Sequence, residues 1–222
     1  MEAKGDEPAP GVVRLPPGRH GLSRDAVSES QRERLLNGVV EAVGEHGYNE
    51  TTIAQLIEAA QVSRRTFYEH FSGKEDCFLA AYEVIAEHVR GVLDEAGEES
   101  AWPDRVRAML TTLLGIFAAD PTLARFLLVE SLAAGGEVAE RHRASLRCLA
   151  GLLRPESPAT DDALAEAREQ ALMGGISTLV VRRLKAGEAD RLEDLLPDLH
   201  ELVLTSYLGR SEAQRLAREA AA

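Results

Sequence analysis

The chain has little cysteine: two residues in 222, Cys77 and Cys148. They form no Cys-x-x-Cys motif and no close metal pair, which removes a disulfide framework and a zinc finger and leaves each as a small buried thiol. Aromatic residues are scarce at 5 %, and alternating β-branched runs are missing. Leu, Ala, Glu and Arg dominate instead, which favours an all-α protein. There is no run of eighteen apolar residues, so no transmembrane helix is expected. The opening MEAKGDEPAPGVV lacks the continuous apolar core of a signal peptide, and a cytoplasmic location follows. The sequence carries no HExxH, no GxSxG and no Gly-rich phosphate loop. Its six histidines are scattered, none paired at ligand spacing with another His or a Cys. An enzyme, a metal centre and a cofactor are therefore not expected.

Positive charge is also lacking. The formal net charge is -12. Residues 1–75 hold nine Lys and Arg against twelve Asp and Glu, and the remainder sixteen against twenty-five. A protein that coats DNA nonspecifically is excluded by this balance. Any DNA contact must rest on a small focused surface, weak off target and salt-sensitive on target.

One such surface is present between Thr51 and Lys74, TTIAQLIEAAQVSRRTFYEHFSGK. Thr51 or Thr52 caps a first short helix, whose buried stripe is Ile53, Leu56, Ile57 and Ala60. Val62 plugs the corner. Ser63 caps a second helix, 64–71, with Phe67 and Phe71 inward and Arg64, Arg65, Thr66, Tyr68 and His70 on its other faces. A helix this short is marginal alone and must be held by its neighbours. So held, it can enter a DNA major groove as the second element of a helix-turn-helix. Arg64 and Arg65 then face base edges, where a bidentate grip on guanine is worth about 1–3 kcal/mol. Thr66 reaches a thymine methyl or a phosphate, and Tyr68, His70 and Thr52 position the helix on phosphates.

The phrases GYNETTIAQLIEAAQVS, RRTFYEHF and KEDCFLAAY extend this pattern over roughly fifty residues, from Arg32 to Tyr82. In them the chain closely resembles the DNA-binding domain of TetR-family transcriptional repressors. The resemblance implies that Lys74 holds the DNA backbone and that the next helix links head to body. It implies a small effector held among helices four to eight, whose binding changes the tilt of the heads. It also implies repression as the usual mode. One position departs from the family pattern: Gln61 stands where glycine is usual in the turn, and a positive φ there would carry strain.

The rest is read as organisation. Residues 1–24 are rich in Pro and Gly, expected to be extended or disordered. Arg19 lies in an acid-free basic stretch that suits a minor groove or phosphates. Helices are expected over 28–46, 74–96, 103–119, 121–133, 138–153, 161–186 and 190–208, about nine in all. The expected division is a DNA-binding head over 25–82, a ligand-binding and dimerising body over 83–208, and a tail over 209–222. Ser72 and Glu75 suggest a capping box on the fourth helix. The last two long helices show broad apolar stripes that suit a four-helix bundle in a homodimer, with Gly175, Ile176, Leu179, Leu195, Leu199 and Leu202 as interface candidates. Candidates for the pocket implied by the resemblance are Tyr82, Met109, Phe117, Phe126, Glu130, His142 and Met173, a set suited to a hydrophobic effector. The function expected is a regulator that binds a palindromic double-stranded operator as a dimer and is released by a small molecule. The alternatives are a helical interaction protein that has lost operator reading, and an activator or a regulator without a ligand.

Overall fold

The computed structural model describes residues 24–98, 101–155 and 165–219. The N-terminal arm with Arg19 lies outside the described residues. Every described element is helical, and the architecture is all-α. Helix α1 (Arg24–His46) begins four residues before the expected start. With α2 (Ile53–Ala59) and α3 (Arg64–His70) it forms an N-terminal head around Leu35, Val39, Leu56 and Phe67, each fully buried. Gly38 lets α1 and α2 close up: a Cβ there would lie 2.7 Å from the Ala60 nitrogen.

Helix α4 (Lys74–Ala96) runs from the head into the body, about 35 Å at 1.5 Å per residue. Its expected capping box does not form. Gly73 occupies the cap position without a side-chain bond, and the Ser72 amide and hydroxyl both donate to Asp76 rather than pairing with Glu75. The extended Gly73 backbone sets Ser72 one residue too far back to act as cap.

Helix α5 (Trp102–Ala119) turns through 108° into α6 (Pro121–Ala134). Asp120 caps α6 by accepting from the Leu123 amide, with Pro121 in the first turn as its sequence predicts. Within α6, Phe126–Glu130 widens into a π-turn, in which the Ser131 amide reaches back to the Phe126 carbonyl. The apolar run FLLV hides this widening from any periodicity argument. Gly135 and Gly136, at φ +66° and +49°, then reverse the chain into α7 (Gly136–Leu152). Helix α8 (Ala165–Lys185) follows. Two 3-10 turns lead to α9 (Leu196–Leu208), whose first turn holds Pro197, so that proline marks the start of the helix and not a kink.

Two expectations need correction. The stretch after Leu208 is not a tail: α10 (Arg210–Glu219) follows a Gly209 turn at φ +80° and buries Ala213 completely. Its few apolar residues gave no stripe to read. The apolar stripes of α8 and α9 largely serve the chain's own core. Ile176, Leu195 and Leu199 are 3, 4 and 0 % exposed and are not available to a partner. Leu202 is 39 % exposed, and Gly175 and Leu179 are partly so. Among the described residues no single helix is long and apolar enough to cross a membrane, and no three His, Cys, Asp or Glu side chains converge as metal ligands.

Candidate nucleic-acid interface and ligand cavity

The reading helix is held by its ends. Thr52 closes a capping box on α2: its hydroxyl accepts from the Gln55 amide, and the Gln55 side chain accepts from the Thr52 amide at 2.8 Å. Ser63 caps α3 by accepting from the Thr66 amide at 3.0 Å, and the two hydroxyls are 2.9 Å apart. Between the helices Gln61 adopts φ +52°, the only non-glycine positive φ among the described residues. Arg34 pins this corner from α1, donating to the carbonyls of Ala60 (3.0 Å) and Gln61. Phe67 and Phe71 are buried, with ring centroids 6.1 Å apart, and the Arg32 guanidinium lies over the Phe71 ring.

With that face fixed, α3 points Arg64, Arg65 and Tyr68 into solvent, and Thr66 and His70 are partly exposed. The Arg65 side chain is 89 % exposed and donates to Glu69 at 2.9 Å. Arg64 lies 5.9 Å from the Tyr68 ring. Glu69 is an addition to the candidate surface. Its i,i+4 spacing to Arg65 was the available signal, and it orients the guanidinium without burying it.

Lys74 has a different setting from a free phosphate clamp. Its ammonium donates to the carbonyls of Tyr48 (2.7 Å) and Thr51 (2.8 Å) and sits 4.3 Å from the Tyr48 ring centroid. Burial lowers its pKa, with Glu50 acting the other way. Two of its three donors fasten the α1–α2 loop to α4, which leaves one for a phosphate.

The body encloses a cavity of about 450 Å³ between α4, α5, α6, α7 and α8. Of the expected pocket residues, Tyr82, Phe117, His142 and Met173 line it. Three do not. Met109 lies beside a small void further along α5. Phe126 stacks on Phe78 at 4.2 Å, inside the junction between head and body. Glu130 turns to the head, where its Oε2 accepts from the Tyr48 amide at 2.8 Å while Arg125 stands 3.6 Å from Oε1. The π-turn explains the last two departures, because it spaces Phe126 and Glu130 toward the head and Leu127 and Leu128 toward the cavity. Ser145, Leu146 and Leu149 of α7 also line the cavity, as does Ile176 of α8, which was expected at the dimer interface instead.

Residues 35–81 match the family model described as "Bacterial regulatory proteins, tetR family". Over this segment the chain carries the DNA-binding domain of the TetR family. It is a DNA-binding regulator. It is 29 % identical over 186 residues to the HTH-type transcriptional repressor AcnR of Corynebacterium diphtheriae, spanning 79 % of this chain and 93 % of that one. The fold is similar to the fatty acid degradation regulator FadR from Bacillus halodurans, with a TM-score of 0.68 and 19 % identity over 78 % of this chain and 97 % of that one. It is also similar to FadR from Bacillus subtilis in complex with stearoyl-CoA, with a TM-score of 0.65 and 17 % identity over 80 % and 98 %. The matched segment covers α2 and α3 with the second half of α1 and the first third of α4.

Proposed function

We propose that this regulator is a cytoplasmic repressor that binds a palindromic operator as a homodimer and is released by a small hydrophobic effector. The observation that carries the reading is α3. Its apolar side is fixed by Phe67 and Phe71, its start is capped by Ser63, and Arg64, Arg65 and Tyr68 face outward. Arg64 and Arg65 read base edges; Thr66, Tyr68, His70, Thr52 and the spare proton of Lys74 contact the backbone. Residues 25–82 are the head and 83–208 the body. In the dimer, the exposed small residues Ala171, Gly174 and Thr178 of α8 meet Leu202 of α9 and their symmetry copies. The 450 Å³ cavity supports the effector reading by its size and apolar lining. The stearoyl-CoA held by the Bacillus subtilis regulator of similar fold supports an effector with an apolar chain.

The test is selection of bound duplexes from a random pool at fixed, near-physiological salt, with Arg65→Ala in parallel. A twofold-symmetric consensus is expected, lost or relaxed in the variant at one position per half-site. Loss of a bidentate pair should reduce discrimination there by about 1–3 kcal/mol. An asymmetric consensus, or one unchanged by Arg65→Ala, would overturn the reading.

A further inference from the structure

Below its charged mouth the cavity is largely apolar, and one buried polar pair stands out. The Tyr82 hydroxyl and His142 Nδ1 are 3.1 Å apart, and the two residues are 2 and 4 % exposed. The Ser145 hydroxyl is hydrogen-bonded to Tyr82, and the His142 ring is hydrogen-bonded to the Leu127 backbone. Leu127 belongs to the π-turn of α6, and its carbonyl also accepts from the Ser131 hydroxyl at 2.6 Å.

The charges that line the cavity are Glu83, Glu87, Arg90 and Arg141. They close on one another as Arg90–Glu87 (2.5 Å) and Arg141–Glu83 (2.6 Å), leaving no net charge. They are part-exposed on α4 and α7, at the mouth. Deeper in, burial lowers the His142 pKa, as does the nearby Arg143, and burial raises that of Tyr82. Both groups are thus held in their uncharged forms. A carboxylate carried to this depth would lose its hydration and meet no counter-ion. A plain hydrocarbon would fill the space and leave the polar pair unused.

We propose that Tyr82 and His142 form the recognition point for an uncharged hydrogen-bond acceptor, a ketone, ester or amide carbonyl, on an otherwise apolar effector. This rests on the effector reading above and narrows its chemistry. With His142 in the tautomer whose Nδ1 accepts, the Tyr82 O–H turns from Nδ1 to the ligand oxygen. His142 loses one of its two anchors, and the other is the turn that carries Glu130 to the head. Ligand chemistry is therefore sensed one hydrogen bond away from the head–body junction.

The test is a thermal-shift titration of the full chain with octan-2-one, octan-1-ol, octanoate and octane, each converted to an affinity through ligand linkage. For the wild type, octan-2-one is expected to bind about tenfold more tightly than octane or octanoate, the weight of one well-made neutral hydrogen bond. Tyr82→Phe is expected to remove about that factor from octan-2-one and to leave octane unchanged. Octanoate binding tightest, or a ketone preference that survives in Tyr82→Phe, overturns the proposal. Octane binding without any ketone preference in the wild type overturns it too, but spares the hydrophobic effector. If none of the four binds, the cavity takes no apolar ligand and the effector reading falls with it. The wild-type series decides these cases even if the variant folds poorly.

Discussion

Replacing Gln61 by glycine should stabilise the regulator. Gln61 sits at φ +52° in the corner between α2 and α3, where an L-residue brings its Cβ against the following carbonyl at a cost of about 1–2 kcal/mol. Glycine removes that strain but has more freedom to lose on folding, worth about 0.5–1 kcal/mol in the other direction. The Gln61 side chain is exposed, so burial of it does not offset the strain. The corner itself stays in place, since Arg34 holds the Ala60 and Gln61 carbonyls and needs no side chain at this position. The balance is a gain of about 0.5–1 kcal/mol. For a chain of this size that corresponds to a rise in Tm of about 1–4 °C. The assay is paired calorimetric and urea melts of the wild type, Gln61→Gly and Gln61→Ala. Alanine keeps the strain and should melt with the wild type. An unchanged or lowered midpoint in Gln61→Gly, or an equal rise in Gln61→Ala, would refute the reasoning, because the second result would place the effect in the side chain and not in the backbone.

Glu130→Ala leaves the Tyr48 amide without its acceptor at the head–body junction, at a cost of about 1–3 kcal/mol. Faster hydrogen exchange at that amide is expected, with Glu130→Gln, which still offers an oxygen, close to the wild type. Thiol labelling of the native chain should modify Cys148, which is exposed, and spare Cys77, which is fully buried with its thiol pushed up to about 12 by burial; two thiols should appear only on denaturation. The Cys77 shift also has a pH signature. The unfolded thiol ionises near its ordinary value of about 8.5 and the folded one does not, so its contribution to stability is full below that value and declines as pH rises toward 12; Cys77→Ala should flatten this alkaline limb in a series of urea melts.

The head was legible from the sequence because its signals are local. Ser63 lies three residues before the amide it caps, Phe67 and Phe71 are one helical turn apart, and the turn residue Gln61 announces its own strain. Helices α4 and α5 were legible for the same reason, through long runs of one period. The body's finer assignments were not, because a helical stripe says that a face is buried and not which neighbour buries it. Leu199 and Leu202 occupy the same apolar pattern, yet one is core and the other is exposed. Glu130 looked like a polar pocket residue until the widened turn rotated it toward Tyr48. Lys74 carried a charge that suited DNA, but its two carbonyl partners lie 23 and 26 residues away and no spacing rule reaches them.

The π-turn of α6 has a consequence for how such a chain can change. A turn of this kind holds one residue more than an α turn, so everything beyond it is rotated by about 100° relative to an unbroken helix. Deleting a single residue between Phe126 and Glu130 would restore the regular helix with Ser131 and all that follows on the faces they now occupy, and would remove the widening that lets Leu127 and Leu128 face the cavity while Phe126 and Glu130 face the head. If the cavity holds an effector as proposed, point substitutions at Leu127 and Leu128 would alter what it accepts, and a length change in the same five residues would alter whether the head hears of it. On that reading taste and hearing would be separately mutable within one turn of helix, and homologues that share the cavity lining but lack the extra residue would be expected to bind their small molecules without passing the message on.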